Sequence, residues 1–170
     1  MALLHHVSQL RAFLRKFALP FKFFFVLHLA SEWTGIVSPT AGPSMLPTLT
    51  VSGDIIYTSK RYARGNGIEF GDIIEFKHPM EPGVGVVKRV MGLPGDFVRE
   101  DGGVGSGDRM IQVPEGHCWL LGDNEDASRD SRTYGPLPMA LIRGKVTAKI
   151  WPPSSMEWIK STLQRPEEDL

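Results

Sequence analysis

The fold class follows from residues 85–96, which read Gly85-Val86-Val87-Lys88-Arg89-Val90-Met91-Gly92-Leu93-Pro94-Gly95-Asp96. Valines bounded by glycine and followed by a Gly- and Pro-containing turn predict an extended strand and a tight turn. Successive side chains of a strand point to opposite faces, so Lys88 and Arg89 lie on opposite sides. Whichever face is inward, one of these two cations must enter largely apolar surroundings.

Of the two cations, only the lysine has access to a neutral form near physiological pH. Arginine stays protonated, whereas burial disfavours an ammonium and can lower the pKa of a lysine from about 10.4 towards about 7 or 8. A buried Lys88 is therefore a candidate general base. On this segment alone a second interpretation stays open, in which Lys88 extends along the rim of the sheet and keeps its ammonium in water.

Short β-type runs continue on both sides of this segment. From Ser38 onward, Gly and Pro interrupt the apolar runs so often that long helices fit poorly. The number of these short β-type runs favours one compact β-barrel or β-sandwich. Strands are predicted at Asp54–Ser59, Asp72–Lys77, Gly85–Met91, Asp96–Arg99, Met110–Val113, Cys118–Leu121 and Ile142–Trp151.

Residues 1–37 have a different character. The first acidic residue is Glu32, and the apolar residues before it recur at helical spacing among arginines, which predicts a basic amphipathic leader. An apolar run over residues 17–30 follows and is predicted to be a helical membrane anchor. About 14 helical residues span only about 21 Å of a hydrocarbon core of about 30 Å, so a core helix of a soluble domain is the alternative. The acid-free leader resembles a mitochondrial address more than a cleavable secretory peptide.

The predicted organisation is a leader and anchor over residues 1–37, a β domain over residues 38–155 and a tail over residues 156–170. Lys plus Arg and Asp plus Glu both number 19, so the net charge gives no indication of a nucleic-acid partner. The single cysteine, Cys118, cannot form an intramolecular disulfide and is predicted to be a core residue.

Two further segments carry candidate chemistry. The first, Gly42-Pro43-Ser44-Met45-Leu46-Pro47-Thr48, places a serine on a loop stiffened by two prolines, with an apolar tip expected against lipid or substrate. The second is the acid-rich segment from Gly122 to Arg132. It does not fit a calcium loop, because Ser128 and Tyr134 stand where glycine and a bidentate acid are needed. A rigid polar turn beside an active site is the better interpretation.

The histidines are the alternative candidates for the general base. His78 and His117 are the candidates outside the leader, and neither lies near a Gly-x-Ser-x-Gly sequence. A Ser-His-Asp arrangement is therefore disfavoured.

Taken in order, residues 42–48, residues 88–96 and residues 122–132 resemble the conserved boxes of the type I signal peptidase family. The similarity covers roughly residues 38–153. The short length and residues 130–152 are most similar to the mitochondrial inner membrane members. The resemblance implies a mostly β, antiparallel, barrel-like catalytic domain behind a helical membrane anchor.

The resemblance also implies a role for each matching residue. Ser44 matches the nucleophile and Lys88 the general base, while Ser128 matches the hydroxyl that orients the lysine. The backbone amide of Ser44 is the expected oxyanion donor. Bacterial members often carry a serine donor two residues earlier, and that position is Gly42, so the second donor is unknown. Structural support of the site is expected from Asp123, Asn124, Asp130 and Arg132.

The function implied is a serine endopeptidase of the mitochondrial inner membrane that faces the intermembrane space and removes sorting segments from precursor proteins. Neither a metal nor another cofactor is needed. Membrane lipid and a related second peptidase subunit, as a heterodimer, are the implied partners, and no nucleic acid is. The alternatives are a non-catalytic membrane-tethered β domain that stabilises a partner peptidase, a bacterial or plastid signal peptidase, and a self-cleaving repressor.

Overall fold

The computed structural model describes residues 16–18, 20–29, 34–81, 83–100, 109–161 and 163. Contacts between Cα atoms divide the chain into two compact units, Met1–Thr34 and Gly35–Leu170. The domain limits predicted at residues 37/38 and 155/156 stay predictions.

Residues 16–18 and 20–29 are helical, and the apolar side chains of this helix are exposed, including Phe21, Phe23 and Phe24. In the part of the chain that the structure describes, no helix combines the length and the apolarity needed to cross a bilayer. Residues 1–15 of the predicted leader lie outside the described residues, and the membrane anchor stays a prediction.

The second unit is built on an antiparallel sheet. Its strands follow the spatial order β1-β2-β9-β3-β4-β7-β8, and β10 pairs with β9 beside β3. A separate two-stranded sheet contains β5 and β6. The strands are β1 (Gly35–Ala41), β2 (Ser52–Ser59), β3 (Ile73–Lys77), β4 (Gly85–Gly92), β5 (Phe97–Glu100), β6 (Arg109–Gln112), β7 (His117–Leu121), β8 (Leu137–Pro138), β9 (Ile142–Trp151) and β10 (Glu157–Trp158).

The mostly β, antiparallel prediction is confirmed, and every strand predicted from the sequence is present with its ends within two residues of the prediction. β1, β8 and β10 were missed. The barrel-like closure is not seen: in the described residues β1 and β8 stand at the two ends of the sheet and do not pair with each other. The sheet is therefore open.

Three apolar clusters stabilise this unit. One contains Ile74, Phe76, Val90, Leu120 and other side chains of β3, β4, β7 and β9. A second contains Met45, Leu49, Ile56, Ile73 and Val146, and so joins the loop between β1 and β2 to the sheet. The third packs the β5–β6 hairpin against Trp119 of β7. The second cluster is the one that positions the candidate nucleophile.

β2 and β9 approach each other closely at Gly144. A Cβ atom at this position would clash with the carbonyl group of Ser59 and would lie 3.0 Å from Cγ2 of Thr58. Both neighbours belong to the paired strand β2, so neither can move without disturbing the ladder.

Replacing Gly144 with alanine should therefore destabilise the fold. We expect Gly144→Ala to lower the free energy of unfolding by about 1–3 kcal/mol, the usual cost of overpacking. Urea denaturation of the full chain in detergent measures it. Gly85→Ala is the matched control, because its Cβ would meet only the ends of the Arg143 and Glu75 side chains. Equal stability of both variants would contradict this account.

Candidate active site

Ser44 lies on the hairpin loop between β1 and β2, in a short 3-10 turn, Pro43–Met45. The loop is closed by a hydrogen bond from the Gly42 N–H to the Val51 carbonyl (2.8 Å). Met45 is 3% exposed and belongs to the core, although it also lines the cleft beside Ser44, so its expected place against substrate stays a prediction. The loop is therefore anchored to the core by the side chain next to Ser44.

Gly42 enters this loop with a backbone conformation that only glycine adopts readily, φ 109° and ψ 153°. A Cβ atom would meet nothing within 4 Å, so the constraint is conformational and not one of space. Glycine is therefore favoured at position 42 by the path of the chain.

Lys88 lies in the middle of β4 with 3% of its surface exposed. Lys88, Val90 and Gly92 are buried while the residues between them are not, which confirms the predicted alternation and places Lys88 on the inward face. Its Nζ atom lies 2.6 Å from the Ser44 Oγ atom, within hydrogen-bonding distance. Burial lowers the pKa of Lys88, and this effect outweighs the negative charges of Asp130 and Asp123, which raise it.

The segment after β7 holds the nucleophile loop in place. The Asn124 N–H donates to the Ser44 carbonyl (3.0 Å), and Asn124 Nδ2 donates to the Pro43 carbonyl (3.1 Å). Gly122 lies between the two loops, because a Cβ atom there would clash with Ser128 Oγ and would come within 2.6 Å of the Ser44 carbonyl oxygen. Any side chain at position 122 would push these loops apart.

Asp123 forms a second connection between the same elements. It accepts two hydrogen bonds from Arg89, at Nε and Nη2, both 2.7 Å long, and a third from the Thr48 hydroxyl (2.5 Å). Arg89 also donates to the Gly71 carbonyl (2.9 Å). Because Arg89 follows Lys88 in β4, this network fixes the strand that carries the lysine relative to the nucleophile loop.

Ser128, Asp130 and Arg132 form a third group. The Ser128 hydroxyl donates to Asp130 Oδ2 (2.6 Å), and Arg132 donates to both oxygens of Asp130 from Nε (3.0 Å) and Nη2 (2.9 Å). Burial would raise the pKa of Asp130, but hydrogen bonds from Arg132, Ser128 and the Gly122 amide together lower it. In the described residues no hydrogen bond joins Ser128 to Lys88, so its orienting role stays a prediction.

The rival nucleophiles and bases lie elsewhere. The ring of His78 accepts the N–H groups of Met80 and Glu81 at Nδ1, and His117 Nδ1 lies 3.0 Å from the Glu115 carbonyl. Burial raises the pKa of the Cys118 thiol to about 12, so it stays protonated in the core. Among the described residues, no three or more His, Cys, Asp or Glu side chains are grouped so that they could hold a metal ion.

A cleft of about 390 Å³ opens beside Ser44. It runs between the end of β1 and the start of β4, and Glu75 and Arg143 also line it. The residues that sequence reasoning missed are Thr48, Arg89, Gly122, Glu75 and Arg143. Thr48, Arg89 and Gly122 stand within the segments that matched the family boxes, so their position next to named residues was the available signal.

A serine hydroxyl in contact with a buried lysine amine is an arrangement that a peptidase of the serine-lysine class can use. The family model described as "Signal peptidase, peptidase S26" matches residues 16–106 and 101–151. The chain belongs to this signal peptidase family.

Several relatives of this chain are named as mitochondrial inner membrane proteases. Subunit 1a of Arabidopsis thaliana is 40% identical over 78% of this chain and 80% of its own length. Subunit 1 of Homo sapiens is 40% identical over 81% of this chain and 82% of its own. Subunit 2 of Danio rerio is 33% identical over 75% of this chain and 70% of its own length. The predicted family, enzyme class and location in the mitochondrial inner membrane are thereby confirmed.

The Asn124 side chain offers a test of how the nucleophile loop is held. Asn124→Ala removes the hydrogen bond to Pro43 and leaves the backbone bond to Ser44, so we expect a loss of about 1 kcal/mol, or about fivefold in kcat/KM, on precursor cleavage. Asn66→Ala is the control, because it removes a similar amide-to-carbonyl bond, to Arg61, outside the site. Equal activity of the two variants would show that this contact does not position Ser44.

Proposed function

We propose that Ser44 is the nucleophile and Lys88 the general base of this peptidase. The observation that carries the proposal is the 2.6 Å contact between Lys88 Nζ and Ser44 Oγ, made by an amine that is almost fully buried. Burial favours the neutral amine, and only the neutral amine can accept the hydroxyl proton.

The reaction then proceeds by acyl transfer. Lys88 takes the proton of Ser44 while Oγ attacks the peptide carbonyl, and the ammonium returns the proton to the leaving amine. A water deprotonated by the same lysine releases the acyl group from Ser44. The Ser44 N–H makes no hydrogen bond to a protein acceptor in the described residues, so it is available to the oxyanion. No metal takes part in these steps.

The substrate fits the cleft as an extended chain. In the described residues β1 pairs on one edge only, with β2, and residues 85–87 of β4 pair only with β3 because β7 ends opposite Arg89. Both edges line the cleft beside Ser44, and an unpaired strand edge accepts another strand through backbone hydrogen bonds. An extended cleavage site between them would present its carbonyl to Ser44.

The substrates we propose are precursor proteins whose sorting segments are removed at the outer face of the inner membrane. The relatives are named as protease subunits, which supports a related second subunit as a partner. A membrane anchor in residues 1–37 is part of the proposal, and it would hold the cleft near the lipid from which the substrates emerge. The names of the relatives favour a mitochondrial enzyme over a bacterial or plastid one.

Substitution of Ser44 and of Lys88 distinguishes a catalytic chain from a non-catalytic domain that only tethers a partner peptidase to the membrane. Ser44→Ala and Lys88→Met should each lower precursor cleavage by purified full-length protein at least about 10³-fold while leaving thermal unfolding unchanged. The matched controls are Ser154→Ala and Lys77→Met, which replace an exposed serine and an exposed lysine. Normal cleavage by a folded Lys88→Met protein would overturn the proposal, and normal cleavage by Ser44→Ala would favour the non-catalytic tether.

The pH dependence of kcat/KM reports the protonation of Lys88. Activity should rise with pH as the amine becomes neutral and should level off below pH 10.5, because burial lowers this pKa. Asp130 and Asp123 raise the pKa of Lys88, so Asp130→Asn should move the acidic limb to lower pH.

The profile is measured on the activity that remains in each variant. Glu115→Gln, which neutralises an exposed acid in the turn before β7, should leave the limb in place. If the acidic limb of the Asp130→Asn profile stayed at the pH of the wild type, or moved to higher pH, Lys88 would not be the titrating group.

A further inference from the structure

Two charged side chains line the cleft beside Ser44 and have no part in the serine-lysine chemistry. Glu75 comes from β3 and Arg143 from β9, and they form an ion pair with 2.7 Å between Glu75 Oε1 and Arg143 Nη1. The other residues that line the cleft are apolar, such as Val86 and Ile56, glycine, or hydroxyl residues such as Thr40. Glu75 and Arg143 are the charged residues of this lining, so their ion pair is the feature best suited to distinguish one polar substrate side chain from another.

The Glu75 carboxylate uses its hydrogen-bonding capacity on groups of the protein itself. Its side chain is 3% exposed, and its oxygens accept hydrogen bonds from Arg143 (2.7 Å) and from the Thr58 hydroxyl (2.7 Å). The Ser38 hydroxyl lies 3.4 Å from both oxygens. Thr58 is itself fully buried, so this part of the cleft is rigid. A carboxylate with these partners has little capacity left to bind a substrate cation.

Arg143 is in the opposite situation. Its side chain is 35% exposed, and in the described residues only Nη1 donates, to Glu75. A guanidinium has five N–H donors in a fixed plane, so the remaining N–H groups of Arg143 can reach the cleft or the solvent. Its anchoring by Glu75 orders the guanidinium before a substrate arrives.

We propose that Arg143, held by Glu75, is a specificity-determining residue that binds a carboxylate or amide oxygen of a substrate side chain near the cut. The ion pair is neutral overall, so it offers hydrogen-bond donors rather than a net positive charge. The side-chain oxygens of both Asp and Asn can accept hydrogen bonds from these donors. A leucine would leave the guanidinium without an acceptor, and a lysine would bring a second cation to it. This assignment rests on the proposed function.

The test uses full-length protein and a set of peptides that share one cleavage site. Asp, Asn, Ala, Leu and Lys are placed in turn at each of the four positions on either side of the cut, and kcat/KM is measured. At one position we expect Asp and Asn peptides to be cut about tenfold better than Leu and Lys peptides. Arg143→Met should abolish this preference and change cleavage of the Ala peptide by less than about threefold.

Glu75→Gln gives a second, independent readout. It keeps an acceptor for Arg143 but removes the neutralising charge, so the preference for Asp over Asn should increase at the same position. Arg61→Met, which removes an exposed arginine outside the cleft, should leave every preference unchanged. Both effects would be absent if the ion pair had only a structural role.

Two results would overturn the assignment. If the wild type cut all peptides equally well, or if Arg143→Met lowered kcat/KM by the same factor on all peptides, Arg143 would not distinguish between substrate side chains. If Ser44→Ala cut the peptides as well as the wild type did, the proposed function would fail and the assignment with it. A flat profile with Ser44-dependent cleavage would overturn the assignment alone.

Discussion

Burial of the Lys88 amine beside the Ser44 hydroxyl is the constraint on which the arrangement depends. Among the described residues no carboxylate bonds directly to Lys88, and desolvation disfavours the charge of its ammonium. The surrounding acids have to be close enough to support the fold, yet an ion pair with Lys88 would keep its amine protonated. In the structure each of these nearby acids forms an ion pair with an arginine and not with Lys88.

Asp123 is paired with Arg89, and Asp130 with Arg132. Each carboxylate also accepts a hydroxyl hydrogen bond, from Thr48 and Ser128 respectively. Asp123 connects the segment after β7 to β4 and to the nucleophile loop, and Asp130 fixes the conformation of that segment itself, while the charges of both acids are largely compensated. The remaining influence of both acids on Lys88 raises its pKa by less than burial lowers it.

The sequence predicted the strands with alternating or continuous apolar runs, because residue pattern and turn residues suffice for those. It missed β1, β8 and β10, since two of these have only two residues and β1 contains Pro39, which weakens the strand pattern. Alternation predicted that either Lys88 or Arg89 faces inward, and the burial pattern of β4 shows that it is Lys88. Its contact with Ser44, 44 positions earlier, follows from no local pattern and was reached only through the family resemblance. The ion pair of Glu75 and Arg143 was missed because it joins two strands whose register the sequence does not reveal.

Gly42 has a consequence for how this active site can change. Serine at that position would add a side-chain hydroxyl to the site, but a backbone at φ 109° does not accept a Cβ without strain. The loop would first have to adopt another path, and the hydrogen bond from Gly42 to Val51 holds the present one. A serine at position 42 is therefore strained for as long as the loop keeps this path. An inhibitor of this site meets a glycine backbone at position 42 and no side-chain hydroxyl.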